Sequence, residues 1–329
     1  MLELPALERS TLGSPPPGLT SSHCLHLLCF FKQPGKDRDG HHLGLVTDVL
    51  GGDVKSLQKE VARKEGLPLP LVKRIMMHTL RGLAHMHALN IVHTDLKQDN
   101  IMFDMGSLTQ ADITALIEAD PARHHPAEES LDCVVQAAVS QPLPLPSLAE
   151  AMTRNYIVAD FGSAQPANVH TTDEISAYAL RAPETILKGP WNEKVDIWAF
   201  GCMIFELLTG SDLFVYKPFP EYNLDEPTGH LWQMLCFTRE NMTRVQVESS
   251  RLGTEYFILD KNVDNPFCNF KADVPILDNP FAASLRNYKV IKEEDVLATA
   301  KIMQRCLRLN PDDRATAMEL LQDPWWQSE

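Results

Sequence analysis

The stretch IVHTDLKQDNIMF, residues 91–103, decides how this chain is read. It sets Asp95, Lys97, Asp99 and Asn100 between two short apolar runs. Charge and amide framed by strand-like flanks describe a loop held over a core, either for chemistry or simply as a solvated turn.

Working outward, Val72, Ile75, Met76, Leu80, Leu83 and Met86 recur at helical spacing, which predicts a helix over 70–89 stopping at Asn90. Further upstream, CLHLLCFF (24–31) and LGLVTDVL (43–50) flank the polar turn KQPGKDRDGHH and read as two antiparallel strands. Residues 1–22 carry SPPPG and no sustained periodicity, so the expectation there is a disordered lead-in. Downstream, 104–153 is a poorly patterned, flexible insertion with a short helix near 109–119 and the proline-rich QPLPLPS. YIVADFGSA then resumes a strand and a tight turn. After 190 the pattern is helical over 194–209, 228–237, 293–308 and 314–321, with a long irregular stretch between the second and third. Asp312 or Asp313 is the expected cap of the last helix.

Length and composition narrow the class. The 329 residues hold 44% hydrophobic and 22% charged side chains, an ordinary soluble balance with room for a two-lobed unit. A formal net charge of −14 disfavours direct nucleic-acid or anionic-membrane binding and suits basic partners or plain solubility. The 7 cysteines form no C-x-x-C pair, which fits buried thiols in a reducing compartment. The longest apolar run, WAFGCMIFELL (198–208), is short and contains Glu206, so it reads as a core helix. An intracellular protein, cytoplasmic or nuclear and monomeric, is the expectation.

Order and spacing separate a working loop from a solvated turn. His93-Thr94-Asp95-Leu96-Lys97-x-x-Asn100 is followed by Asp160-Phe161-Gly162 and then Arg181-Ala182-Pro183-Glu184. Asp196-Ile197-Trp198-Ala199-Phe200-Gly201 comes next, and Arg314 in NPDDRATA closes the series. With these motifs in this order the chain resembles the eukaryotic protein kinases. It is most similar to the SR-protein-specific serine/threonine kinases, which also read HTD for the usual HRD. GLPLPLVKRI, the VLGG hinge and LNPDDRATAMELLQDPWW share that likeness, which covers roughly residues 24–326 apart from the insertion.

The resemblance implies an α+β, protein-kinase-like fold: a mainly helical large lobe over 51–326 and a truncated β small lobe over 23–50. It implies ATP and Mg²⁺ as cofactors and protein substrates, Arg/Ser-rich by analogy. Asp95 would be the catalytic base and Lys97 the γ-phosphate lysine, while Asn100 and Asp160 would hold the metal. Thr47 would back the adenine pocket, with Asp48 to Leu50 as hinge. His93 would pack on Phe161, Asp196 would accept catalytic-loop amides, and Glu184 would pair with Arg314. In most members an arginine at the position of Thr94 receives an activation-loop phosphate; threonine cannot, so the segment bearing Thr171, Thr172 and Ser176 is expected to be ordered without phosphorylation.

The pattern also departs from the family. Residues 1–50 hold no G-x-G, no V-A-I-K-like strand and no helix with a central glutamate. Three strands and the small-lobe helix are therefore expected to be missing, either because the chain is a shortened kinase or because it is a non-catalytic binding module. Ala177 and Leu180 stand where the substrate-facing turn often has Thr and Tyr. Asp212, Glu221, Asp225 and Glu226 could line a groove for basic peptides, or a solvated acidic loop.

Overall fold

The computed structural model describes residues 3–14, 18–34, 40–62, 65–129, 133–260 and 264–327. Its two expected antiparallel strands are β1 (Leu27–Pro34) and β2 (His41–Thr47), paired from Leu27↔Thr47 to Pro34↔His41. The tip of their turn, with Lys36, lies outside the described residues, and Lys32 is exposed. The chain then enters β3 (Leu50–Asp53) and α2 (Val54–Ala62), the latter started by Asp53, whose carboxylate accepts from Ser56 N and Oγ.

One expectation fails at the start of the chain. Residues 3–12 are not a disordered lead-in: they form α1 (Glu3–Leu12), which packs against β1 and the Phe161–Ser163 turn. A helix therefore packs on β1 and on the Phe161–Ser163 turn where none was expected. Pro5 falls in the first turn, where its missing N–H breaks no helical bond. Ala6, Leu7 and Ser10 make the buried stripe, and Leu7 is fully buried. Leu27 N donates to Thr11 Oγ1, and His85 Nε2 lies 2.8 Å from Ser10 O, so both strand and large lobe grip the helix.

The large lobe is built on α3 (Leu69–Ala88) and the helix Lys194–Thr209, which pack together in a continuous apolar core. After α3, Asn90 turns the chain with φ 60° into β4 (Ile91–Val92), the functional loop and β5 (Ile101–Asp104). β5 is the middle strand of a three-stranded antiparallel sheet between β3 and Tyr156–Val158, while β4 pairs with Gln165–Pro166. Both flanks of the loop are therefore pinned by ladders to the chain around Asp160.

The insertion contains α4 (Gln110–Ala119), started by a Thr109/Asp112 capping box, and its Leu145 returns beside Gly52 of β3. The stretch expected to be irregular between residues 238 and 293 holds short helices at Arg244–Ser249, Gly253–Tyr256 and Phe281–Tyr288. These are too brief to show a period in sequence. The last helix is Ala317–Leu320, capped by Thr316 with Glu319 rather than by Asp312 or Asp313, which lie in the preceding 3₁₀ turn. No helix among the described residues is long and apolar enough to cross a membrane.

Candidate active site

The loop after β4 has an unfavourable backbone that its surroundings hold in place. Thr94 sits at φ 67°, a conformation costly for a β-branched residue. Asp196, in the first turn of the helix Lys194–Thr209, accepts His93 N at 2.8 Å and Thr94 N at 2.9 Å, while His87 Nε2 lies 2.9 Å from the same carboxylate. Thr94 Oγ1 donates to Ser163 O at 2.7 Å, and Ser176 Oγ donates to Thr94 O at 2.9 Å. His93 is buried, tilted against Phe161 at 5.9 Å, with Nε2 at 2.9 Å from Ala159 O. The loop is thus tied from below, from the Asp160 turn and from the segment ahead of Arg181.

On this frame Asp95, Lys97 and Asn100 converge. Lys97 Nζ donates to Asp95 Oδ2 at 2.6 Å, and Asn100 Nδ2 donates to Asp95 O at 2.9 Å and Oδ2 at 3.2 Å. Desolvation pulls the Lys97 ammonium down, but the hydrogen bond and charge of Asp95, with Asp99 and Asp160 behind it, outweigh this and leave it above the ordinary lysine value. Lys97 is therefore a fixed cation. Asp95 is half-buried and keeps one oxygen outside these bonds.

Asp160 is exposed, in the left-handed region at φ 59°, with Oδ1 accepting Gly162 N at 3.2 Å. Ala159 N donates to Asn100 O at 2.9 Å, so the residue before Asp160 is bonded directly to Asn100. Asn100 spends its amide nitrogen on Asp95, which leaves its amide oxygen outside these bonds. An amide oxygen and a carboxylate are hard donors suited to Mg²⁺, which keeps its remaining positions for phosphate and water. Among the described residues no group of three or more His, Cys, Asp or Glu could hold a metal by itself. The donor set fits an ion brought in with a phosphate ligand.

The nucleotide side is thinner. Thr47 ends β2, with Oγ1 donating to Asp48 O, and Leu50 opens β3 opposite Asp104. A side chain at Gly51 would collide with the Phe103 ring, so this edge is packed close on β5. Among the described residues β1 and β2 make a two-stranded sheet, with Leu28, Phe30 and Phe31 exposed.

Glu184 and Arg314 form the expected buried pair. Two further residues contribute to the site. His87 reaches Asp196 only through the fold. Glu206, noticed earlier as one charge in an apolar run, is held by Gln98 of the loop, whose Nε2 lies 3.1 Å from Glu206 Oε2. Burial, with Asp212 adding to it against the Gln98 bond, pushes the Glu206 carboxyl up to about 7. A cavity of about 240 Å³ beside the loop is lined by Glu206, Asp212, Gln58, Gln98, Lys55 and Ser211. A carboxylate alone in an apolar helix was the available clue.

Comparison with known proteins identifies the family. The protein kinase domain family model matches residues 19–119 and 148–326, breaking off within the insertion. The serine/threonine-protein kinase SRPK of Physarum polycephalum is 28% identical, over 98% of this chain and 75% of that protein. The dual specificity protein kinase lkh1 of Schizosaccharomyces pombe is 25% identical over 87% of this chain but 36% of its own length. The probable serine/threonine-protein kinase clkA of Dictyostelium discoideum is 31% identical over 59% of this chain and 18% of its own length.

Proposed function

The chain belongs to the protein kinase domain family, and on that premise we propose that it transfers the γ-phosphoryl group of ATP to serine or threonine hydroxyls of basic, Arg/Ser-rich proteins. The observation that carries this reading is the convergence of Lys97 Nζ and Asn100 Nδ2 on the Asp95 carboxylate, 2.6 and 3.2 Å away. Asp95 accepts the proton of the attacking hydroxyl and orients its oxygen. Lys97 offsets charge on the transferred group, and Asn100 and Asp160 hold Mg²⁺, which neutralises phosphate charge when bound. Thr47, Asp48 and Leu50 form the edge for the adenine. Phosphoryl transfer asks mainly for positioning, and the ties on Thr94 supply it.

The substrate class is supported by charge. Asp225 and Glu226 begin the helix Glu226–Thr238, both exposed, and Glu206 with Asp212 lines the cavity beside the loop. Guanidinium groups suit such carboxylates because they pair with them in a fork.

The two-stranded β1–β2 sheet favours a second reading, a module that binds basic peptides without transferring phosphate. One experiment separates the two. The purified chain is given Mg-ATP and an Arg-Ser repeat peptide, with Asp95→Asn and Asp160→Asn alongside. Phosphopeptide formed by the wild type and lost in Asp95→Asn, with a Mg-ATP thermal shift lost in Asp160→Asn, supports the kinase. Salt-sensitive peptide binding without transfer or thermal shift sinks that reading in favour of the module. Peptide affinity unchanged by Asp225→Lys/Glu226→Lys removes the helix from the substrate site.

A further inference from the structure

We infer that Gln165 is a positioning residue that locks the segment between Gly162 and Arg181 through a neutral hydrogen-bonded clamp. Gln165 is buried, 1% exposed, in the short strand that pairs with β4, where it lies opposite Val92. Its Oε1 accepts Thr171 N at 2.6 Å, Thr171 Oγ1 at 3.0 Å and Thr172 N at 3.2 Å. Its Nε2 donates to Thr172 O at 3.2 Å. One side-chain amide thus closes the loop 165–172 on both its oxygen and its nitrogen.

The clamp stands at the root of a chain of contacts that reaches the functional loop. Beyond it, Glu174 N donates to Thr172 Oγ1, and Trp191 Nε1 donates to Asp173 Oδ1 at 3.0 Å. Within the closed loop, His170 stacks on Trp191 at 3.5 Å and 8°. Ile175 is buried, and Ser176 donates to Thr94 O, one residue before Asp95. Thr171 and Thr172 are themselves exposed, and these polar bonds tie their backbone to the buried Gln165.

The chemistry of the clamp explains why no charge is needed. A buried amide bonded through both its oxygen and its nitrogen avoids the desolvation of an ion pair and is insensitive to salt. Thr94 removes the cation that would receive a loop phosphate, and Gln165 supplies order from the opposite side of the segment. The effect on catalysis rests on the kinase reading above; the ordering itself does not.

Amide hydrogen exchange on the full chain, unphosphorylated and with no nucleotide, tests the clamp independently of activity. The wild-type amides of Thr171 and Thr172 are expected to be protected, before and after phosphatase and in 1 M salt alike. Gln165→Met fills the volume without the bonds and should speed their exchange by roughly tenfold or more, leaving the helix Lys194–Thr209 protected. Gln165→Glu keeps the acceptor but turns a carboxyl oxygen onto Thr172 O, so it should restore only part of the protection, and more of it at acid pH, where a protonated carboxyl can donate to that carbonyl. With peptide substrate, Gln165→Met should raise KM for peptide while KM for ATP stays, and Gln165→Glu should lie between Gln165→Met and the wild type. Unchanged exchange in Gln165→Met, or wild-type protection lost to salt or phosphatase, overturns the inference. If Gln165→Met does not fold, the wild-type arm and Gln165→Glu decide it. A chain that shows the protection but no transfer keeps the clamp and loses the kinase reading.

Discussion

Lys97 Nζ lies 2.6 Å from Asp95 Oδ2, so the candidate base and the candidate phosphate cation are already joined before any substrate arrives. The pairing fixes the carboxylate's rotamer and leaves its other oxygen to accept a hydroxyl proton. Asp95→Asn keeps the shape and removes the basicity. Transfer to an Arg-Ser peptide should fall roughly 100- to 10,000-fold, with peptide affinity within about twofold. Steady-state rates and equilibrium peptide binding check this; equal losses in both would assign Asp95 to binding.

Arg314 and Glu184 meet as a buried fork, with Nη1 and Nη2 each 2.6 Å from one carboxylate oxygen. Arg314 also donates to the carbonyls of Arg308, Lys194 and Leu309 and lies over Trp198 at 5.0 Å. Arg314→Met leaves Glu184 charged and unpaired in the core, so denaturant unfolding should show a loss of about 3–5 kcal/mol. Adding Glu184→Leu should recover only part of it, because the guanidinium's bonds to three carbonyls stay lost, although Leu309 O keeps Gln246 Nε2 as a donor. Full recovery would mean the ion pair alone carried the cost.

Phosphorylation of the exposed threonines should be unnecessary. Thr171 and Thr172 are held through their backbone amides, which alanine retains, so Thr171→Ala/Thr172→Ala should keep transfer within about threefold, losing one hydroxyl bond to Gln165 and one to Glu174 N. Ser176→Ala removes the donor to Thr94 O and should cost more than the double variant. Initial rates of phosphatase-treated proteins decide it. A dead double variant with an intact melting transition would restore a role for loop phosphate.

What the sequence made legible was the part governed by motif. The ties from Asp196 to the loop and the Glu184–Arg314 pair are what the family resemblance implied, and the long helices follow from strong apolar periods. α1 was missed because Pro5 and the following SPPPG mask a stripe only a few residues wide, and the helix packs on β1 and the Phe161–Ser163 turn, contacts that no local pattern announces. Thr316 was overlooked as a cap because two aspartates precede it; the Glu three positions on was the deciding sign. Gln165 and Glu206 act across the fold, and no spacing rule connects them to Thr171, Thr172 or Gln98.

Glu206 gives the site a pH dependence with a definite sign. Its carboxyl rises from the ordinary 4.5 to about 7, first through burial, with Asp212 reinforcing it and Gln98 opposing. The folded chain therefore holds this proton more tightly than the unfolded chain. The stabilisation is fully present below about pH 4.5 and is lost as pH climbs through about 7. Glu206→Gln keeps an acceptor for Gln98 but never ionises, so at pH 8 it should be more stable than wild type by on the order of 2 kcal/mol, with the difference shrinking toward pH 5. An arginine side chain entering the cavity favours the ionised form. Peptide affinity of the wild type should then rise between pH 6 and 8, and Glu206→Gln should flatten that rise. Unfolding curves and peptide titrations across this range test both halves. A stability difference that ignores pH would show that Glu206 is already ionised in the folded chain, and a flat wild-type affinity would place the peptide's arginines elsewhere.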